Sequence, residues 1–446
     1  MEEMKHAQLG DPRRNKRAAC ILAGWAERPE SSIPQAAADR SQTNLTYRFL
    51  SQETTSSVAM MGSHCQVTLE RVEQESEVWV AQDTTSLDYT TCKATRDLGP
   101  LESAHRHGFF LHSALVLSTG GVPLGLLAQE SWAREASEQG KAKARRKKEI
   151  TQKESAKWLR PLAACALIPS TVRVLLIGDR EADIYDLFAH PRPAHVDLLV
   201  RAAQNRSLVD EDLLLWEALG ATEVAALTEI EVERARERAA RRARLEVRFR
   251  AVQVAVPRHA KERTTKQPVR LWAVLVREID PPAGEAALEW KLLSTREVAS
   301  VEQALRLIEA YTQRWKVERF HYVLKSGCQV EALQLEKRER LERALVLYSI
   351  VAWRLLWLTY QAREQPSAPC TQALSQAEWH LLYRHAHRGK VVPQQVPTLR
   401  EAVLWLGRLG GYMGSNQKSP GVKTLWRGIR RLHELLEGAR LISPDF

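Results

Sequence analysis

The chain has 446 residues, more than a single hydrophobic core usually supports, so two or three domains are expected. Its 65 Lys and Arg outweigh 54 Asp and Glu to leave a net charge of +11, which favours a polyanionic partner such as nucleic acid. The apolar fraction of 44% is that of a globular protein, no apolar run is long enough to cross a bilayer, and MEEMKHAQLGDPRR lacks a signal-peptide core, so membrane spanning and secretion are excluded as expectations.

Residues 1–62 read as short helices. Asp11 followed by Pro12 is a helix start, because Asp can cap and Pro at the first helical position loses no needed N–H. That helix runs to Trp25, and two more lie at Pro34 to Ala38 and Leu45 to Leu50, with a Ser-Gln-Thr-Asn break between them. Arg13, Arg14, Lys16 and Arg17 cluster on the first turn, and Arg40 and Arg48 flank the break. The segment resembles a small helical DNA-binding module, although a solvated helical face would carry the same charges.

From residue 75 the pattern becomes apolar runs separated by turns. A short strand from Val78 to Gln82 ends on Asp83. Phe109 to Leu117 and Val122 to Ala128 form two strands joined by the hairpin signal Ser118-Thr119-Gly120-Gly121. An amphipathic helix from Ser155 to Leu167 precedes the strand Val172 to Gly178, which ends on Asp179. A helix from Glu181 to Phe188 leads to the strand Val196 to Arg201. This order implies an α/β fold with a ribonuclease-H-like mixed-sheet core.

Residues 205–295 break that rhythm. Leu245, Val247 and Phe249 alternate with charged neighbours, so β-structure is inserted here, whereas the Arg- and Glu-dense stretch Glu229 to Arg244 reads as a solvated helix or turn. Lys141 to Lys148 reads as a basic loop able to touch phosphate. A long helix at 302–326 follows the insertion, and the chain beyond Glu331 is helical, with breaks at Gln365 to Pro369 and Leu409 to Gly421. The domains expected are 1–62, 63–364 with the insertion, and 365–446, the last for dimerisation.

Two strand-end carboxylates and a third on a nearby helix are what metal-dependent phosphodiester chemistry requires, since hard divalent ions take oxygen ligands. Asp83 and Asp179 fit the strand-end role, although a lone strand-end Asp is more often a turn or cap residue. On the last core helix, Tyr311, Arg314, Glu318 and Lys325 fall within an arc of roughly 60° at helical spacing. Val317, Phe320 and Leu324 fall on the opposite side, available to pack on the sheet.

Taken together, DTTSL (83–87), GDREADIYDLF (178–188), LEWKLLS (288–294) and YTQRWKVERFHYVLK (311–325) make the chain similar to bacterial insertion-sequence DDE transposases, in the Y-R-E-K branch that includes the Tn-five transposase. LGDPRR (9–14), TYRFL (46–50), GRLGGYMG (407–414) and KTLWRGIRRL (423–432) extend the resemblance over nearly the whole chain. It implies a cut-and-paste enzyme holding two Mg²⁺ ions, with Mn²⁺ able to substitute, on Asp83, Asp179 and Glu318. Tyr311, Arg314 and Lys325 would organise the DNA end, Arg201 would contact phosphate, Trp290 would stack on a displaced base, and Arg13, Arg14 and Arg48 would bind DNA. Asp183 would be structural. The implied partners are transposon-end inverted repeats, target DNA and a second copy of the chain in the synaptic complex. Tyr322 departs from the pattern, since relatives often carry a basic residue there. The six cysteines show no CxxC or zinc-finger spacing, so buried thiols in a bacterial cytoplasm, close to the nucleoid, are expected.

Overall fold

The computed structural model describes residues 2–37, 39–103, 105–135, 154–209, 211–232, 241–257, 267–414 and 419–442. The basic run Lys141 to Lys148 lies outside the described residues. The chain forms two compact units, one comprising 1–74, 84–141 and 316–446 and the other 75–83 and 142–315. The described strands are β1 Glu77–Asp88, β2 Gly99–Pro100, β3 His107–Ser118, β4 Pro123–Trp132, β5 Arg173–Gly178, β6 Val196–Arg201, β7 Ala226–Val232, β8 Arg241–Val254, β9 Val269–Glu278 and β10 Glu289–Ser294.

In the second unit β1, β5 and β6 are parallel neighbours, with Val78 opposite Val174 and Leu176 opposite Leu198. Val78 to Ala81 and Val174 to Ile177 are buried almost without exposure, as parallel strands covered on both faces must be. Strands β10, β9, β8 and β7 continue the sheet in antiparallel order. This mixed α/β sheet is ribonuclease-H-like, with β7 to β10 inserted before the helix Val301–Gln313.

Two expectations change here. Glu229 to Arg244 is not a helix or turn in its described parts, because 229–232 belong to β7 and 241–244 to β8. Glu231 stands opposite Arg242 and Glu229 opposite Arg244, while Val232 and Ala243 point inward. The charge density that reads as a solvated helix therefore comes from cross-strand pairs. Strand β1 likewise does not stop at Asp83. Thr84 and Thr85 suit extended backbone, and Leu87 returns to the core, so the strand runs on to Asp88.

In the first unit the N-terminal helices are Pro12–Glu27, Ile33–Ala36, Arg40–Ser51 and Ser57–Val72. The Asp11 carboxylate accepts from the Arg13 N–H as the first cap. Asp39 caps the third helix through the Gln42 N–H, and Thr43 Oγ1 donates to Asp39 O, so the Ser-Gln-Thr-Asn stretch is helical and not a break. Residue 62 falls inside the helix Ser57–Val72. Strands β3 and β4 form the expected hairpin, pairing Ser113 with Gln129.

The C-terminal helices Arg338–Glu364, Gln376–Ala386, Leu399–Leu409 and Val422–Ile442 enclose Leu358, Ala362, Leu382, Leu399, Leu406 and Leu432. Gly410 lets the last two pack closely, since a Cβ there would stand 1.9 Å from Thr424 O. Among the described residues no helix is long and apolar enough to cross a membrane.

Candidate active site

The β1–β5 register pairs Ala81 with Ile177, and Asp83 follows two residues further along β1 while Asp179 comes one residue past the end of β5. Asp179 keeps extended backbone beyond the end of β5 and caps a short 3-10 turn, Arg180–Ala182, accepting from the Glu181 N–H at 2.8 Å. Gly178 makes this turn possible: a Cβ there would lie 2.5 Å from Ala182 Cβ. Burial pushes the Asp179 carboxyl above its usual range, opposed by the Glu181 N–H and the Arg314 charge.

Arg314 Nη1 lies 3.9 Å from Asp83 Oδ2. The same guanidinium stands 5.9 Å from the ring centre of Tyr311, whose hydroxyl burial pushes up in pKa against the opposing charges of Arg314 and Arg201. Arg201, at the end of β6, stands near enough to Tyr311 to oppose that rise and donates through Nη2 to Glu289 O at 3.1 Å. Trp290, next along β10, meets the Tyr311 ring edge-on at 5.4 Å and 62°. Asp83, Asp179, Arg201, Trp290, Tyr311 and Arg314 are thus brought together within one unit, two carboxylates beside two guanidinium groups and two aromatic rings.

The long helix expected at 302–326 is segmented. It runs Val301–Gln313, tightens at Arg314, whose N–H bonds to Tyr311 O, resumes at Trp315–Tyr322 and ends in a π turn, Val323–Gly327. Lys325 lies within this π turn, where ideal α-helical spacing does not apply. Lys325 Nζ instead donates to Ser86 O at 2.8 Å and pairs with Glu331 at 3.1 Å within the first unit.

Glu318 is half-buried in the first unit, on a helix held from both sides of its position. Val317, Phe320 and Leu324 are fully buried beneath it, as the spacing predicts. Lys316 Nζ donates to Gly121 O at 2.6 Å, and burial pushes that ammonium down to about 8. His321 Nε2 lies 3.2 Å from Ser113 Oγ, and burial pushes the imidazole down to about 3. Among the described residues no three His, Cys, Asp or Glu side chains form a preassembled metal site. Asp83 and Asp179 nevertheless suit divalent metal: both are hard-oxygen donors within reach of the Arg314 charge, and a cation would offset the burial that raises Asp179.

Family models match three successive parts of the chain: transposase DNA-binding at residues 1–55, transposase DDE domain at 146–354 and transposase Tn5 dimerisation domain at 350–444. The chain belongs to the Tn5-type DDE transposases. A solved piggyBac transposase synaptic complex with hairpin DNA aligns over 98% of this chain and 74% of that one, at 10% identity and a TM-score of 0.36.

The transposase is therefore a DNA-cleaving enzyme of a divalent-metal-dependent family, with DNA and a second protomer as partners. In its DNA-binding segment Arg13 and Arg48 are exposed, whereas Arg14 is half-buried and donates to Leu9 O at 3.0 Å. Sequence reading missed Arg206, the partner of Asp183. Asp183 belongs to the GDREADIYDLF segment, but nothing marks an arginine 23 residues later as its counter-ion.

Proposed function

We propose that this transposase works by cut and paste, binding transposon-end inverted repeats, cleaving them and joining the 3′ ends to target DNA. The observation that supports this most is that Arg314 acts on both Asp83 and Asp179, because paired carboxylates next to a phosphate-binding cation suit phosphodiester chemistry. Asp83, Asp179 and Glu318 would hold two Mg²⁺ ions, or Mn²⁺ in their place. Such ions, when bound, activate the nucleophile and stabilise the leaving oxygen.

The chain's own residues do the remaining work. Arg314 and Arg201 hold phosphate, Tyr311 keeps both guanidinium groups in place, and Lys325 engages the DNA end after leaving Glu331. Water cuts the first strand, the freed 3′-hydroxyl attacks the opposite strand and closes a hairpin, a second water reopens that hairpin, and the regenerated 3′-hydroxyl attacks the target. One site can serve every step because water and a 3′-hydroxyl are interchangeable nucleophiles. Residues 1–62 bind the ends, 63–364 carry the chemistry and 365–446 pair the protomers.

The test uses purified protein, Mg²⁺ and DNA carrying the element's own ends. The parent should nick, excise and join. Glu318→Gln should still bind ends without metal but lose both cleavage and transfer, and Asp83→Asn and Asp179→Asn should behave alike. Parental cleavage by Glu318→Gln would remove the assignment of the third carboxylate.

A further inference from the structure

Asp183 lies four residues beyond Asp179, its side chain wholly buried. Its Oδ2 accepts from the Ala203 N–H at 2.7 Å and the Gln204 N–H at 2.9 Å. Its Oδ1 takes both Nε, at 3.2 Å, and Nη2 of Arg206, a side chain only 6% exposed. Its backbone carbonyl receives Arg206 Nη2 at 2.9 Å and Gln204 Nε2 at 3.0 Å. One residue thus collects bonds from three positions of a second segment, Ala203, Gln204 and Arg206.

The two segments it joins are those that carry chemistry. On one side is the 3-10 turn capped by Asp179, folded back so tightly that Gly178 has no room for a side chain. On the other, Ala203 follows Arg201 by two residues, and Ala202 is itself tied by its N–H to Lys291 O at 2.7 Å. A buried ion pair is a costly way to gain stability, since desolvation offsets most of the attraction. It does fix geometry, because the planar fork of arginine admits only a narrow range of carboxylate orientations.

We propose that Asp183 is a positioning residue that locks the Asp179 turn to the end of β6, so that a metal ligand and a phosphate-binding arginine are held as one rigid piece. The inference rests on the roles given to Asp179 and Arg201 under the proposed function. Loss of the lock lets the Asp179 turn move, so divalent-metal affinity falls although neither ligand has been changed.

The experiment measures Mn²⁺ binding calorimetrically on the full chain without DNA, together with hydrogen exchange at the Ala203 and Gln204 amides. Asp183→Asn should weaken Mn²⁺ binding at least about tenfold, the usual lower size of an outer-shell effect, and speed exchange at both amides. Arg206→Lys keeps the charge and loses the fork, and is the variant read where Asp183→Asn melts below the assay temperature; it should shift both readouts in the same direction. A folded variant with a lowered Tm but parental Mn²⁺ affinity would make Asp183 a stability residue only and overturn the proposal. Asp179→Asn separates the two readings. If that control binds Mn²⁺ like the parent, the ligand role of Asp179 is at fault, and if it loses binding while Asp183→Asn and Arg206→Lys keep it, the lock is at fault.

Discussion

Arg314 Nη1 stands 3.9 Å from Asp83 Oδ2, with both side chains largely withdrawn from water, and the same guanidinium lowers the pKa of Asp179 against the upward push of burial. One cation therefore serves two carboxylates. Replacing it as Arg314→Gln removes a favourable charge near each, and the Asp179 carboxyl should move further up. Metal binding needs ionised carboxylates, so the pH below which Mn²⁺ binding is half lost should rise, while end binding weakens by about 1.5–3 kcal/mol, the range for a bond to a charged group. Calorimetry across pH 4 to 8 checks the first claim, and an unmoved midpoint would count against it.

Trp290 meets Tyr311 edge-on at 5.4 Å and is half-buried rather than sealed in the core. A ring in that state can leave its partner for a base at modest cost, since an aromatic pair contributes about 0.5–1.5 kcal/mol. Trp290→Ala should slow hairpin closure roughly tenfold or more, the size of one lost base stack, and leave the first nick near the parental rate. Trp290→Phe should fall between. Strand-resolved gels of a timed reaction distinguish these outcomes, and equal slowing of both steps would assign Trp290 to packing alone.

Much of this was legible because local rules and tertiary demands agree. The Val78 to Ala81 and Val174 to Ile177 runs are buried strands, and the Asp11-Pro12 cap starts a helix where its chemistry predicts. The readings fail where a local cap is overlooked or where long-range contacts decide. Asp39 turns a polar Ser-Gln-Thr-Asn stretch into the first turn of a helix, and strand pairing turns a charged run into β7 and β8. Lys325 lies inside a π turn, a departure that spacing at 100° per residue cannot foresee. Arg206 was invisible for the same reason, being joined to Asp183 only by the fold.

Glu378 caps its helix by accepting from the Ser375 N–H and pairs with His433 Nε2 at 3.2 Å. Burial raises its pKa, but the His433 bond and the cap outweigh it and bring the carboxyl down to about 2 from 4.5. A depressed carboxylate contributes stability that is present above the unfolded value near 4.5 and lost as pH falls through about 2. Glu378→Gln should therefore lower stability at pH 7 by about 1–3 kcal/mol and flatten the acid side of the Tm profile. An identical acid limb in parent and variant would show that the pair contributes nothing to folding.

The dimerisation segment offers the last prediction, and the packing dictates how to test it. Ending the chain near Glu364 would strip the cover from Leu358 and Ala362, which are buried with Leu382, Leu399, Leu406 and Leu432, so a truncation confounds pairing with folding. Leu435 and Ile442 avoid that problem. They lie seven residues apart on one face of the helix Val422–Ile442, 39% and 86% exposed, without a core role. Burying a leucine or isoleucine contributes about 1.5–3 kcal/mol, so placing charge at both positions should weaken a contact made there by at least about tenfold. Leu435→Glu with Ile442→Glu should keep the parental melt and bind a single transposon end normally, yet fail to bring two ends together in a gel-shift assay. Normal paired-end complexes from that double variant would place protomer pairing on another face of the C-terminal helices.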